Sequence, residues 1–396
     1  MTTEVTFDPF QESVHADPYP VFEYLRDEAP AYYNAERDFW ALSRYEDVYQ
    51  AAIDTETFSS EGRINLDDIE SPGIPLMIEM DPPRHGELRD IVKRAFTPKR
   101  VADLEDQARA LTRDLLATWP ASGEIDFIDA FAGPLPIMVI AGLLGIESDR
   151  WVEFKDWSDG LVRRAPGQTT LSEENLMAGL LVSTFFLEEI EKRRSAPTDD
   201  MLSALVDANQ NHGLTDEELL GFCMLLLVAG HETTTTLLSN SLRALAAHPD
   251  QMRLLAGEPD RIPAGVEEIL RYDSPIMSMA RTIKTDAHLH GETIPAGDRL
   301  LLLFGSANRD ERQFENPDTF DVTRKTGRHL SFGHATHHCL GAALARLEAR
   351  VALEELLPRL SAVEIDESKI ERNVHVNIRS ISKLPIGVEF DMPANS

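Results

Sequence analysis

Ser331-Phe332-Gly333-His334-Ala335-Thr336-His337-His338-Cys339-Leu340-Gly341 is the stretch around which this chain is organised. A single cysteine closes a loop of glycine and histidine. A helical pattern follows at once, with Ala342, Leu344, Ala345, Leu347, Val351 and Leu356 on its apolar side. The spacing predicts Cys339 just before, or at, a helix N-terminus. Unsatisfied backbone N–H groups and the positive end of the helix dipole collect there, and both favour thiolate over thiol. A thiolate on a loop of small residues suits a soft ligand for iron. Two other readings compete. One is a small buried cysteine behaving as a hydrophobe. The other is a zinc site from His334, His337, His338 and Cys339, for which the spacing is too tight and no second cysteine is close.

Composition narrows the field. The chain has 396 residues, 42% of them hydrophobic, enough for a large core. Its two cysteines, Cys223 and Cys339, are far apart, so no disulfide framework is implied and a reducing, cytoplasmic compartment is expected. Residues Met1 to Pro20 are acidic, without the apolar core and basic flank of a leader or anchor. No apolar run reaches bilayer length; the longest, Phe222 to Ala229, is interrupted by Gly230, His231 and Glu232. A formal net charge of −30 argues against nucleic acid and against anionic membranes. Two basic islands stand out. Arg84, Arg89, Lys93, Arg94, Lys99 and Arg100 form the first; Arg324, Lys325, Arg328, Arg346 and Arg350 form the second. They read either as solvated helix faces or as the seat of an acidic ligand group or acidic protein partner.

Read in order, Asp17-Pro18-Tyr19-Pro20 starts a helix. Phe39-Trp40-Ala41-Leu42 reads as a strand and Arg44 to Val48 leads into a helix. Glu61 to Pro75 is loop, with Gly62, Ser71, Pro72 and Gly73. Asp81-Pro82-Pro83 precedes a helix that puts His85 and Arg89 on one face, suited to an anionic cofactor group. From Val101 to about Arg193 the pattern is amphipathic and helical, with a loop at Pro166-Gly167. Thr215-Asp216-Glu217-Glu218 is a capping box that opens a helix to Ala247, roughly 50 Å long. Its apolar first half predicts burial. Its centre, Ala229-Gly230-His231-Glu232 followed by four threonines, breaks local helix rules, as functional segments do. The bland alternative is a kink with Glu232 in solvent. A further helix carries Glu268 and Arg271 at pairing distance, 71 residues before Cys339. Strands follow at Met279 to Ile283, His288 to His290 and Arg299 to Phe304, and the tail from Val374 to Phe390 reads as a hairpin turning at Pro385-Ile386-Gly387.

Together these motifs resemble the bacterial cytochromes P-450, haem-thiolate monooxygenases, over nearly the whole chain. The cysteine loop is similar to the family's Phe-Gly-x-Gly-x-His-x-Cys-x-Gly pattern at Phe332, Gly333, His337, Cys339 and Gly341, and departs from it at Ala335. Ala229 to Thr234 resembles the family's oxygen-activation segment, and Glu268, Arg271 and Arg324 its structural network. The resemblance implies a mainly α fold with small β-sheets (α+β), as one domain over residues 1–396 with residues 1–14 as an N-terminal tail. It implies haem b (iron protoporphyrin IX) on Cys339, shielded by Phe332. His85, Arg89, Arg281 and His337 would hold its propionates. Ala229 and Gly230 would let the haem approach the central helix, Thr233 would hydrogen-bond dioxygen, and Glu232 would relay protons. If the family's glycine has positive φ, Ala335 costs on the order of 1 kcal/mol and shifts the redox potential without loss of haem.

The reaction implied is insertion of one oxygen atom of O₂ into a hydrophobic small molecule: hydroxylation, O-demethylation or epoxidation. Electrons would come from a separate acidic ferredoxin or flavodoxin docking near Arg94 and Arg346. The pocket is expected to draw on Ile74, Leu76, Met77, Leu227, Ile276, Met277 and Met279. A peroxide-driven hydroxylase or decarboxylase, and a non-catalytic haem carrier or gas sensor, are the alternatives. The Glu232-Thr233 pair disfavours the first of these, because a proton relay serves dioxygen chiefly.

Overall fold

The fold is built on one buried helix. In the computed structural model, which describes residues 6–62, 64–66, 73–146, 150–163, 170–373 and 375–390, it spans Asp216–Ala247. Both halves of its capping box form: Thr215 Oγ1 accepts from the Glu218 N–H at 3.2 Å, and a Glu218 carboxylate oxygen accepts from the Thr215 N–H at 2.9 Å. The threonine-rich centre does not break the helix. Thr233 donates to the Ala229 carbonyl at 2.7 Å, Thr236 to Glu232 at 2.8 Å and Ser239 to Thr235 at 2.7 Å. These three hydroxyls are satisfied one turn back, while the buried Thr235 hydroxyl has no partner. Glu232 is 5% exposed, so the reading of a kink that delivers it to solvent is set aside.

Around it pack helices Pro134–Leu144, Trp151–Val162, Glu173–Ser195, Ile262–Tyr272 and Ala342–Leu356. The first is apolar on all sides, not amphipathic as expected, because it lies in the core between other helices. The central helix alone among the described residues is long and apolar enough to cross a bilayer, and it is spent as core.

Four sheets form among the described residues, two of them larger than a strand pair. The larger orders its strands Ala31–Asn34, Phe39–Leu42, Arg299–Leu302, Met279–Ile283 and Phe58–Ser59. Phe39–Leu42 runs parallel to Arg299–Leu302, with Trp40 opposite Leu300; Arg281 sits opposite Leu300 from the other side. The smaller sheet corrects the tail. Pro385-Ile386-Gly387 is no turn but the start of a central strand, Pro385–Phe390. That strand pairs with Ser122–Asp126 and with Leu360–Ile365, Ile386 lying opposite both Ile125 and Ile365. Strand Ser122–Asp126 lies inside the stretch read as helical; its partner is more than 250 residues away, so no local pattern announces it. Residues 6–14 do not trail: Phe7 and Phe10 are buried, and Phe7 meets the rings of Phe22, Tyr32 and Phe39 edge-on. Ser71, Pro72, Pro166, Gly167 and Val374 lie outside the described residues.

Candidate active site

The cysteine loop is held from behind. Arg271, fully buried, donates twice to Glu268, each at 2.8 Å, and also to the carbonyls of Asn308 and Pro317. Arg324 adds a third cation, 3.1 Å from Glu268, and caps the carbonyls of Glu315 and Asn316. Asn308 passes this order forward: its side-chain carbonyl accepts from the Leu330 N–H at 2.6 Å, and its amide donates to Ser331. A buried ion pair with every donor used rigidifies its surroundings, and here those surroundings lead directly into the loop.

Within the loop the Cys339 N–H donates to the Phe332 carbonyl at 2.8 Å. The helix Ala342–Leu356 has Gly341 at its cap, and Cys339 lies two residues before that cap. The side chain opens onto a cavity. Burial raises the thiol's pKa, and the N–H groups of Gly341 and Ala342 with Arg89 and Arg346 only partly offset it. Desolvation thus opposes the help that the helix start gives to ionisation, and a bound cation would favour the thiolate. Gly333 and Ala335 both adopt left-handed backbone, at φ 64° and 52°. Ala335 thus carries the strain foreseen for it.

The histidines splay apart. His334 stacks on Tyr49 at 4.5 Å, His337 faces His85 at 4.3 Å, and the His338 ring lies 6.5 Å from Phe332. They do not converge with Cys339 on one point, and the zinc reading falls.

The cavity lies between the cysteine loop and the central helix and is lined mostly by apolar side chains. One wall is Phe332, Cys339, Leu340, Gly341 and the helix after them; the facing wall is the central helix at Ala229, Gly230, Thr233 and Thr234. At one edge stand His85, Arg89, Arg281 and His337. Neither ring nitrogen of His85, nor Nε2 of His337, has a hydrogen-bond partner. Arg281, 6% exposed, donates to the neighbouring Ala280 carbonyl at 2.7 Å. Burial and then the Arg89 charge press His85 to about 4. Burial, Arg281 and His85 press His337 to about 3, and burial draws Arg281 to about 10. Such a buried knot of donors, short of anions, demands an acidic ligand. A flat macrocycle with carboxylates at one edge fits it: haem b suits the slot, the sulfur and the knot together.

Not every expected residue reaches the cavity. Met77, Ile276 and Met279 line it, joined by Ile64, Ile78, Phe96, Phe222, Leu225 and Leu226. Leu227 does not: it faces the core, 2% exposed. Met277 turns to the opposite side, against Gly305. Ile74 and Leu76 stay outside, and the loop at Ile74-Pro75 lies against Gly221, where a Cβ would meet the Pro75 carbonyl. Gly230 lines the slot, and a Cβ there would come within 2.5 Å of Ile140, which also lines the cavity. Glu232 points away from the cavity, next to Asp159 and His231, bonded to Ser380 and Asn373. Burial foremost, then Asp159, pushes its pKa up to about 7. Arg346 is not a free docking charge: it grips Glu267 at 2.6 and 2.9 Å and covers the Phe332 ring at 4.4 Å. Arg94 is exposed.

A thiol loop, an apolar helix facing it and an edge of arginine and histidine donors define a haem-binding enzyme pocket. The comparisons agree. The cytochrome P450 family model matches residues 176–390. Cytochrome P450 130 of Mycobacterium tuberculosis is 40% identical over 371 residues, 89% of this chain and 91% of that one. Among solved structures, CYP109Q5 of Chondromyces apiculatus is 36% identical with a TM-score of 0.89, covering 98% of this chain and 99% of that one. CYP109E1 of Bacillus megaterium, solved in complex with testosterone, is 34% identical with a TM-score of 0.86, covering 95% and 99%. The chain belongs to the cytochrome P450 family: it is a monooxygenase that binds haem b.

Proposed function

We propose that this enzyme inserts one atom of O₂ into a neutral, hydrophobic organic molecule, by hydroxylation and on suitable substrates by O-demethylation or epoxidation. The observation that carries the reading is that Cys339 and Thr233 line the same apolar cavity, with Arg89, Arg281 and the unpartnered ring nitrogens of His85 and His337 at its edge. Cys339 would be the metal ligand, and those four residues would take the propionates. When bound, the haem supplies dioxygen activation and oxygen transfer.

The chain's own residues supply the rest. Thr233 presents a hydroxyl to the cavity while its proton rests on the Ala229 carbonyl, so it can turn to donate inward. Glu232, next in sequence but on the other side of the helix, titrates near neutral pH, where an acid–base group transfers protons best. The partly exposed Asp159 beside it links it towards water. Phe332 and Arg346 cover the sulfur side. Ile64, Ile78, Phe96, Phe222, Ile276 and Met279 exclude water from the substrate. The testosterone bound to the related CYP109E1 supports an occupant of steroid size.

Electrons would come from a separate acidic ferredoxin or flavodoxin at the exposed Lys93, Arg94 and Lys99. The chain would work in the cytoplasm as one domain over residues 1–396. Two measurements test the reading. The reduced protein under carbon monoxide should show the far-red Soret band of thiolate ligation, and Cys339→Ala should lose it. Thr233→Ala should keep haem but divert most reducing equivalents to hydrogen peroxide. Undiminished coupling in that variant would favour the peroxide-driven alternative.

A further inference from the structure

Behind the central helix, away from the haem cavity, three ligand-bearing side chains meet. One donor atom each of Asp159, His231 and Glu232 lies within 4.8 Å of the others, the one such group among the described residues. His231 is 1% exposed. One ring nitrogen, Nδ1, is held by the Ser158 hydroxyl at 3.2 Å, which fixes the ring, while Nε2 has no partner at all. A buried imidazole nitrogen left unsatisfied beside two carboxyl groups is a costly arrangement unless something occupies it.

We propose that Asp159, His231 and Glu232 form a second site, independent of haem, that takes a divalent transition-metal ion such as Zn²⁺ and, when filled, pins the Glu232 carboxylate. One imidazole and two carboxylates are a ligand set zinc accepts, with a fourth position left for water. The Ser158 bond to the other ring nitrogen is the outer contact such ligands usually carry. With ligands about 2.0–2.2 Å from the ion, the three donor atoms need only close by roughly 1 Å. The charge is also right. Two carboxyl groups share the Lys155 ammonium, 3.0 Å from Asp159, and Glu232 is held partly neutral by burial and by Asp159. Lys155 and Asp159 are partly exposed, so the lysine can swing into water and the ion can enter by the same path. Asp159, His231 and Glu232 are absent from the cavity wall, so haem does not explain the cluster.

The test uses the full-length, haem-loaded protein stripped with a chelator and then equilibrated with Zn²⁺, counting bound zinc by atomic emission. The expected result is one tight ion in the wild type, bound at least tenfold more weakly in His231→Ala and in Asp159→Asn, with the Soret band unchanged. His231 is buried and its variant can fail to fold; Asp159 reaches the surface, and its variant carries the test alone if necessary. No tight ion, or equal uptake by wild type and Asp159→Asn, overturns the site. The effect on turnover rests on the proton role proposed for Glu232. Zinc should slow the wild type and spare Asp159→Asn. Zinc that binds as stated but leaves turnover untouched upholds the site and removes that role from Glu232.

Discussion

Replacing Glu232 by glutamine isolates the energetics of the one acid buried in the central helix. Its native pKa is pushed from 4.5 to about 7. The folded protein therefore holds this proton more tightly than the unfolded chain does. Below about pH 4.5 the group is neutral in both states and costs nothing. As pH climbs towards 7 the unfolded chain gives up its proton first, and stability falls. Above 7 both states are ionised and the loss is complete. At about 1.4 kcal/mol per pKa unit the gap is worth about 3 kcal/mol. Glutamine carries no such liability. A chain of 396 residues unfolds with about 0.8 kcal/mol/K of entropy, from roughly 2.1 cal/mol/K per residue. Glu232→Gln should thus melt close to the wild type at pH 5 and about 4 °C above it at pH 8. The assay is calorimetric melting across that range, in chelator so that no metal intervenes. A difference that does not grow with pH, or a variant less stable at pH 8, would show that Glu232 is ionised in the fold and refute the reasoning.

Ala335→Gly relieves a left-handed alanine and should stabilise by about 1 kcal/mol, raising Tm by about 1 °C and shifting the haem potential; identical melting and potential would sink the strain argument. Glu268→Ala leaves Arg271 buried and uncompensated, which costs about 3–5 kcal/mol; urea denaturation should show it, with haem lost more readily. Arg94→Glu should slow reduction by an acidic donor and weaken its salt dependence. Arg346→Glu should act chiefly on folding, through Glu267, whose pKa His329 and Arg346 bring to about 2 against the upward pull of burial. Donor kinetics unaffected by Arg94→Glu would move the docking surface elsewhere.

Local signals were legible wherever one segment settles its own conformation. The capping box at Thr215 and Glu218 set the start of the central helix correctly. The strand Met279–Ile283 came out residue for residue, and Glu268 with Arg271 pair as their spacing asked. Misreadings arose where a distant partner decides. Pro385-Ile386-Gly387 has turn composition, yet two neighbouring strands hold it extended. Of the residues expected in the pocket, Met77, Ile276 and Met279 line the cavity and Ile74, Leu76, Leu227 and Met277 do not. An apolar side chain near a cavity satisfies the same composition whether it points in or out, and only packing chooses.

The amino-acid order by itself determined the family, the haem and the cysteine loop, because those reside in short patterns whose chemistry is intrinsic to the residues. Tertiary structure alone decided the electrostatics. It set Cys339 where desolvation draws its thiol pKa up, raised the Glu232 pKa to about 7 beside Asp159, and spent Arg346 on Glu267. Desolvation and neighbouring charge come from residues far apart in the chain, and no local reading of sequence contains them.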